Sequence, residues 1–337
     1  MEKIRLDKKD YKILYQLDLN SRQSDAEIGR KVGLSREVVK YRIKNLIKNG
    51  IIKRFYTIID VAKLGLTSYK IYLQFQNLNK EKEKDIVNFF LNHPNFEWLG
   101  SCSGKWDMII GVWAENIHQF NRIFMEFSDK YGQYIMNQAF TTTLGVLHYR
   151  KEYLINKKIA TVPMVYFGGE PQKEKLDKID TEILKVLANN ARMPLVEIAE
   201  KVKASPRAVG YRIKELQRKG VIQAFRVTIN LNKLNYMFIK VFFYLQNITD
   251  EKLKKFISYC GSDPNIGWII LCVGPWNIEI EFEIEDLEKF NEVMKNIREE
   301  FGGFIRGVES VIIHNDYGGT RYFPDCYGKI DKIYNSK

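Results

Sequence analysis

Apolar residues recur at helical spacing through the first 50 positions of the chain. Ile13 and Leu17 share one face of a first predicted helix. The letters SDAE at 24–27 predict the start of a second helix, because a serine N-cap is followed three positions later by a glutamate. A third helix is predicted to begin at Ser35 and to end before Gly50, a residue type favoured just after a helix.

Beyond these helices, short β-type runs alternate with two longer helical runs. In order, the runs read FYTIID, SYKIYLQF, the helix KEKEKDIVNFFLNH, FEWLGSC, WDMIIGVW, the helix NIHQFNRIFMEFSDKYG and AFTTTLGVLHY. After the first run the order is βαββαβ, which predicts a ferredoxin-like unit with two helices on one face of an antiparallel sheet. The run YKIYLQF is apolar on both of its faces, so the other face of the sheet is also expected to be covered.

The same pattern occurs twice. A shift of 170 positions aligns residues 6–59 with residues 176–229, and 24 of these 54 positions are identical without a gap. The register continues to the matched pairs Trp98/Trp268 and Trp106/Trp276, which are predicted to be core and interface residues. The chain is therefore predicted to be a tandem duplication of a unit of roughly 145 residues.

Prolines and glycines mark the element boundaries of the second copy and of the segment between the copies. Pro194 is expected in the first turn of the second helix and Pro206 at the first position of the third, where a missing N–H is tolerated. Gly220 matches Gly50. Between the copies, residues 156–175 contain helix and strand breakers, and this segment is predicted to be a linker: Pro163, Gly168, Gly169 and Pro171.

These patterns predict an α+β fold with two helix-turn-helix (winged-helix-like) domains and two ferredoxin-like domains, arranged as a tandem repeat. The expected boundaries are 1–60 and 61–155 for the first copy, 156–175 for the linker, 176–230 and 231–320 for the second copy, and 321–337 for a C-terminal tail.

The third helix of each copy has an apolar side and a cationic side. On a helical wheel Val39, Ile43 and Leu46 face inward. Lysine, arginine and tyrosine on the outer face suit the major groove of DNA, where they contact phosphates or base edges. The candidate DNA-binding residues are Ser35, Arg36, Glu37, Lys40, Tyr41, Arg42, Lys44 and Lys48, then Ser205, Arg207, Tyr211, Arg212, Lys214 and Arg218.

Two alternatives stay open for these helices. Either outer face is also typical of a solvated helix, and Arg42 and Arg212 lie on the flank, where they reach a phosphate or pack along the second helix. The strand that follows the third helix carries Lys53 and Arg54 and is a candidate for a small DNA-contacting wing.

Charge and composition favour a polyanionic partner. The formal net charge is +12, while 45% hydrophobic and 13% aromatic residues are enough to build proper cores. There is no run long enough to span a bilayer, and the four cysteines form no CxxC pair, so we expect reduced thiols in a cytoplasmic protein. The scattered histidines give no metal-ligand spacing, and no cofactor or catalytic residue is predicted.

The phrase LDKKDYKIL…NSRQSDAEIGRKVGLSREVVKYRIKNLIKNGII, with its second copy, resembles the N-terminal domain of Lrp/AsnC (feast/famine) transcription regulators. The β-rich half resembles the effector-binding and oligomerisation domain of that family. The resemblance implies a DNA-binding regulator whose βαββαβ domains pair sheet to sheet into dimers. Because ordinary members have one unit per chain, this chain resembles a covalent pseudo-dimer, and its further assembly into homo-oligomers stays open.

The resemblance also implies an effector site. In the family, a Gly-x-x-Asp turn between the middle strands helps to bind an amino acid near the dimer interface. The matching positions are Gly104 and Asp107 in the first copy and Gly274 and Asn277 in the second. Since an amide cannot neutralise an ammonium group as a carboxylate does, the two sites are expected to be unequal. A plain β-turn with a polar corner is the alternative.

The outer faces of the two third helices differ. Glu37 corresponds to Arg207, and Lys40 corresponds to Gly210. A homodimer reads a palindrome because its recognition helices are identical, so unequal helices predict an operator with two dissimilar half-sites.

Two other functions remain as alternatives. Siroheme decarboxylases share this domain order and place histidines and arginines in the pocket of the β-rich half. The corresponding strands here, SGKWDMIIGVW and VGPWNIEIEFE, contain neither residue type. The other alternative is an amino-acid sensor or scaffold whose helix-turn-helix domains bind protein rather than DNA.

Overall fold

The structure is a computed structural model that describes residues 6–156, 165–317 and 323–324. Pro163 of the expected linker, Cys326 and nearly all of the C-terminal tail at 321–337 lie outside the described residues.

Both copies contain the predicted elements in the predicted order. Repeat one comprises α1 (Lys8–Leu19), α2 (Asp25–Val32), α3 (Arg36–Lys48), β1 (Ile52–Ile59), β2 (Thr67–Phe75), α4 (Lys80–Leu91), β3 (Phe96–Gly104), β4 (Met108–Ala114), α5 (Ile117–Tyr131) and β5 (Ile135–His148). A short strand, β6 (Val165–Gly168), follows. Repeat two comprises α6 (Lys178–Asn189), α7 (Leu195–Val202), α8 (Pro206–Arg218), β7 (Ile222–Ile229), α9 (Leu231–Leu234), β8 (Met237–Leu245), α10 (Asp250–Cys260), β9 (Ile266–Val273), β10 (Ile278–Ile284), α11 (Leu287–Phe301) and β11 (Ile305–Asp316).

Most helix boundaries follow the predicted caps. The Glu27 N–H donates to the Ser24 hydroxyl while the Ser24 N–H donates to the Glu27 carboxylate, which is the predicted capping box. Gly50 follows α3 at a φ of +67°, where a side chain would be strained. Pro194 was predicted wrongly: it is the N-cap of α7, because its carbonyl accepts the first helical hydrogen bond, from the Ile198 N–H.

The expected linker is partly regular. Residues 165–168, expected to be irregular, pair with β5 as strand β6. Val165 is buried in this strand, so the apolar side chains that follow Pro163 hold the segment against the sheet.

The two βαββαβ units form one closed sheet. Its nine strands run in the order β2-β4-β3-β11-β8-β10-β9-β5-β6, and an additional β2–β5 pairing closes a ring. The last strand of each repeat is shared: β5 pairs with β2 and with β9, and β11 pairs with β8 and with β3. The sheets that the resemblance paired face to face are therefore also joined along their edges.

Closure covers both faces of each sheet, as the apolar strands predict. The outer faces pack against α4 and α5 in repeat one and against α10 and α11 in repeat two. Between the sheets, Trp106 and Trp276 are almost fully buried, with ring centroids 6.3 Å apart. Cys102 lies beside them, and burial raises the pKa of its thiol to about 12.

The inner face also holds a buried charge cluster that strand patterns did not predict. Lys70 and Lys240, at matching positions of β2 and β8, donate to the same Glu279 oxygen at 2.7 and 2.8 Å. The Tyr72 hydroxyl donates to the other oxygen. Burial by itself raises the pKa of Glu279, but Lys240 and Lys70 reverse this and hold that pKa below its ordinary value.

The helical domains exchange strands. β1 of repeat one pairs antiparallel with β7 of repeat two, and we call this pair the ribbon. Ile59 and Val61 complete the core around Leu184 of the second helical domain. In return, Val227 and Ile229 complete the core around Leu14 of the first. Each helix-turn-helix domain is thus built from both repeats.

Within the described ranges, no helix is long and apolar enough to cross a membrane. In the same residues, no group of three or more histidine, cysteine, aspartate or glutamate side chains is arranged to hold a metal ion.

We predict that Glu279→Gln lowers the free energy of unfolding by about 3–5 kcal/mol, since it leaves two buried lysines without their shared countercharge. Glu300→Gln is the matched control, because Glu300 pairs with Lys255 at the surface and such pairs contribute about 0–1 kcal/mol. Urea unfolding followed by tryptophan fluorescence measures both, and equal small losses would contradict the prediction.

Candidate nucleic-acid interface

The two third helices, α3 and α8, present matching outer surfaces. Val39, Ile43 and Leu46 are buried as predicted, as are their counterparts in α8: Val209, Ile213 and Leu216. On the opposite side Tyr41 is 66% exposed and Tyr211 is 65% exposed. A tyrosine this exposed on the outer side of a helix is free to contact a partner.

Most of the predicted DNA-binding side chains lie on this outer surface. The Ser35 and Ser205 hydroxyls cap their helices by accepting from the Val38 and Ala208 N–H groups. The predicted residues that are exposed on α3 and α8 are Arg36, Glu37, Lys40, Tyr41, Lys44, Lys48, Arg207, Tyr211, Lys214 and Arg218. The surface is mainly cationic and faces away from the domain core.

Arg42 and Arg212 form salt bridges inside their own domains. Arg42 donates to Asp7 and Asp10 of the first helix, both at 2.8 Å. Arg212 makes the same pair of contacts, at 2.6 and 2.8 Å, with the carboxylates at the start of α6. These arginines tie α3 to α1 and α8 to α6, rather than to the second helix, because the capping carboxylates attract them. They hold the third helix of each domain against the first. The other alternative, a contact with a phosphate, remains a prediction.

The surfaces differ at their C-terminal ends. Arg218 donates to Glu215 through Nε and Nη2 at 3.0 and 2.8 Å. The position in α3 that matches Glu215 is Asn45, which carries no charge. The positive charge at this end of α8 is therefore partly compensated within the helix.

Lys53 and Arg54 lie on the ribbon. Among the described residues their strand pairs with β7 of repeat two and with no strand of its own repeat, so the segment expected to be a small wing connects the repeats. The apolar side chains of both strands explain this, because pairing buries them between the helical domains. Lys53 is exposed and Arg54 is half-buried. Contact of this segment with DNA remains a prediction.

Two arginines that were not among the predicted site residues hold the helical domains together. Arg22 donates to the backbone carbonyls of Ala191 and Met193 and lies 5.4 Å from the Phe225 ring. Its counterpart Arg192 reciprocates with the carbonyls of Ser21 and Gln23, the Asp25 carboxylate and the Phe55 ring. The sequence signal that could have identified them is that both copies have arginine at this position. The two arginines link the helical domains directly.

The predicted effector turns use their polar groups internally. The Phe75 N–H donates to Asp107 at 2.7 Å, and the Leu245 N–H donates to Asn277 at 2.8 Å. A carboxylate and an amide oxygen serve this purpose equally, which explains the difference between the copies.

The glycines of these turns have a steric role. A Cβ on Gly104 would lie 2.7 Å from the Ser310 carbonyl oxygen, and one on Gly274 would lie 2.7 Å from that of Phe140. In both cases the close neighbour is the last strand of the other repeat. The turns therefore permit closure of the ring, and effector binding by them remains a prediction.

Comparisons with known proteins agree with this geometry. A family model described as winged helix-turn-helix DNA-binding matches residues 6–53 and 176–223. An HTH-type transcriptional regulator of Pyrococcus abyssi is 30% identical over 122 residues, covering 36% of this chain and 81% of that protein. LrpB of Bacillus subtilis, also an HTH-type transcriptional regulator, is 36% identical over 85 residues, covering 25% of this chain and 57% of LrpB.

A solved structure shares the whole architecture. The siroheme decarboxylase NirDL superposes with a TM-score of 0.61 over 96% of this chain and 99% of its own, at 12% identity. At 12% identity this similarity shows a common fold and nothing further.

We predict that Asp107→Asn leaves the free energy of unfolding unchanged within about 0.5 kcal/mol, because the amide oxygen still accepts the Phe75 N–H. Asp107→Ala is expected to cost about 1 kcal/mol, since that hydrogen bond is lost. Thermal unfolding compares the two variants. If asparagine were as harmful as alanine, the carboxylate itself would have a role that the turn does not explain.

Proposed function

This chain belongs to the Lrp/AsnC family of DNA-binding transcription regulators, and from that premise we propose that one chain reads two dissimilar half-sites and responds to a small metabolite. It acts on double-stranded DNA in the cytoplasm. The observation that carries the proposal is that the ribbon and two arginines join the helical domains that carry the exposed cationic helices α3 and α8, whose outer residues differ.

The geometry favours simultaneous binding by both helices. The ribbon and the reciprocal contacts of Arg22 and Arg192 link the two helical domains directly. An ordinary dimer obtains such a pair by association, whereas here the second domain is supplied by the same chain at a fixed ratio. Two identical helices would require a palindrome, but this chain is free to differ at each position.

Selection of bound DNA from a random pool tests the half-site proposal. We expect a consensus with two different half-sites about one helical turn apart. Replacing Glu37→Arg and Lys40→Gly together gives α3 the residues that α8 has at these positions. The consensus should then become more symmetric. A perfect inverted repeat selected by the unaltered chain would overturn the proposal.

Salt dependence tests the helix surfaces separately. For a DNA-binding protein, log affinity falls with log salt concentration at about 0.9 per phosphate contact. We predict that Lys44→Gln and Lys214→Gln each reduce this slope by about that amount. Lys84→Gln removes the same charge from an exposed site on α4 and should leave the slope unchanged. Unchanged slopes for all three variants would contradict the assignment of these helices.

Two alternatives remain distinguishable. The fold shared with NirDL keeps a decarboxylase-like activity open, and an absorbance spectrum recorded with added tetrapyrrole tests it. A sensor or scaffold without DNA binding predicts no shift of genomic fragments in a gel at low salt. Retarded DNA without a tetrapyrrole spectrum supports the regulator.

A further inference from the structure

A cavity of about 290 Å³ lies between the ribbon and the closed sheet. Its wall combines ribbon residues such as Tyr56 and Val227 with residues of both sheets. Lys53, Asn232 and His314 are lining residues exposed to solvent, so the cavity opens at the surface. The size is at the lower end of the range of small-molecule sites, roughly 300–1,000 Å³.

Three of the four lysines that line the cavity, Lys70, Lys151 and Lys240, are already neutralised. Lys240 pairs with Glu279 and Glu281, and Lys70 pairs with Glu279. Lys151 pairs with Glu283. These three glutamates are alternate residues of β10 and therefore share one face of the strand. These three ammonium groups are consequently not available to an anionic ligand, and the fourth lysine, Lys53, lies at the solvent-exposed opening.

Glu97 differs from the three glutamates of β10. Its carboxylate accepts a hydrogen bond from the Ser68 hydroxyl, and in the described part of the chain it forms no salt bridge. Burial raises its pKa above the ordinary value, against the smaller opposing effects of Ser68, Lys70 and Lys240. This carboxylate borders the cavity and lacks a paired cation.

The repeat explains how this imbalance arises. Glu97 on β3 corresponds to Gly267 on β9, whereas Gly111 on β4 corresponds to Glu281 on β10. A Cβ on Gly111 would lie 2.9 Å from the Glu97 carboxylate, so the glycine makes room for it. The carboxylate of repeat one is thus on the strand next to the one that carries it in repeat two. Of Glu97 and Glu281, only Glu281 has a lysine partner in the described part of the chain.

Aromatic side chains complete the wall around Glu97. Trp98, Trp113 and Trp268 all line the cavity, and Trp98 and Trp268 are only partly buried, although both were expected in the core or interface. The face of an indole ring attracts cations and also packs against apolar groups. Trp268 is fixed by stacking on His148 at 3.6 Å between ring centroids.

We propose that this cavity is the effector site and that its ligand is a small organic ammonium compound with an apolar or aromatic body. The inference rests on the proposed function, because it names the ligand class of the regulator. The ammonium group pairs with Glu97, and the body lies against the tryptophans. Since the ribbon forms one wall, an occupied cavity changes how the ribbon holds α3 and α8.

Isothermal titration of the full-length chain with two probes of similar shape tests the charge preference. The probes are 2-phenylethylamine and 3-phenylpropionate. We expect the amine to bind and the acid to bind roughly tenfold more weakly or worse, because only the amine supplies a charge-assisted hydrogen bond to Glu97. Equal binding of the acid, or no binding of the amine at millimolar concentration, would overturn the proposal.

Variants locate the binding event. Glu97→Gln should weaken amine binding roughly tenfold, whereas Glu292→Gln, an exposed change of the same kind on α11, should not. Ser68→Phe introduces the residue found at the matching position, Phe238, and should fill the cavity. Circular dichroism establishes that each variant is folded. Unaltered amine binding by both cavity variants would place the ligand elsewhere and contradict the inference.

Gel shifts with the same preparations separate this inference from the proposed function. DNA binding without amine binding overturns the cavity proposal alone. Amine binding without DNA binding overturns the regulatory function instead. When both occur, the amine should change the DNA affinity, and DNA should change the amine affinity by the same factor.

Discussion

The exchange of strands between the repeats is the interaction on which the rest of the structure depends. Neither helical domain completes its apolar core alone, because Ile59 lies in the core of the second domain and Ile229 in that of the first. Burying one such side chain contributes about 1.5–3 kcal/mol to stability, so separating the domains would expose several apolar side chains and lose this contribution for each of them. The ribbon therefore joins the two helical domains, and together with the closed sheet it forms the wall of the cavity.

Symmetric and asymmetric features of the repeat have different physical roles. The arginine contacts are duplicated: Arg22 and Arg192 each bind the other helical domain, and Arg42 and Arg212 each form salt bridges inside their own domain. Lys70 matches Lys240 as well, although both lysines pair with the single Glu279 of repeat two. Residues that face outward or into the cavity differ between the repeats, as Glu37 and Glu97 illustrate. A homodimer must place the same residue at both related positions, whereas a fused chain is free to specialise each one. Fusion thus allows an asymmetric DNA site and one asymmetric ligand site.

Local features of this fold could be predicted from the sequence. The capping box at Ser24, the buried face of Val39 and the βαββαβ order depend on residues that are close in the chain. The pairing between repeats could not be predicted, because β1 and β7 are far apart in the sequence and nothing in either strand specifies their register. Lys70 was read as part of an apolar strand because its countercharge, Glu279, lies 209 residues away. Likewise, the partners of Arg22 are backbone carbonyls, which leave no mark in a residue pattern.

Affinity cleavage on a selected operator tests most directly whether the two recognition helices read different half-sites. An iron chelate would be attached through Arg30→Cys, at an exposed position on α2. Cys102, Cys260 and Cys272 are buried, and Cys326→Ser removes the cysteine that lies outside the described residues. Unequal helices bind an asymmetric site in one orientation, so strand cleavage is expected at one end of the operator. Equal cleavage at both ends would show that the half-sites are interchangeable and would contradict the account.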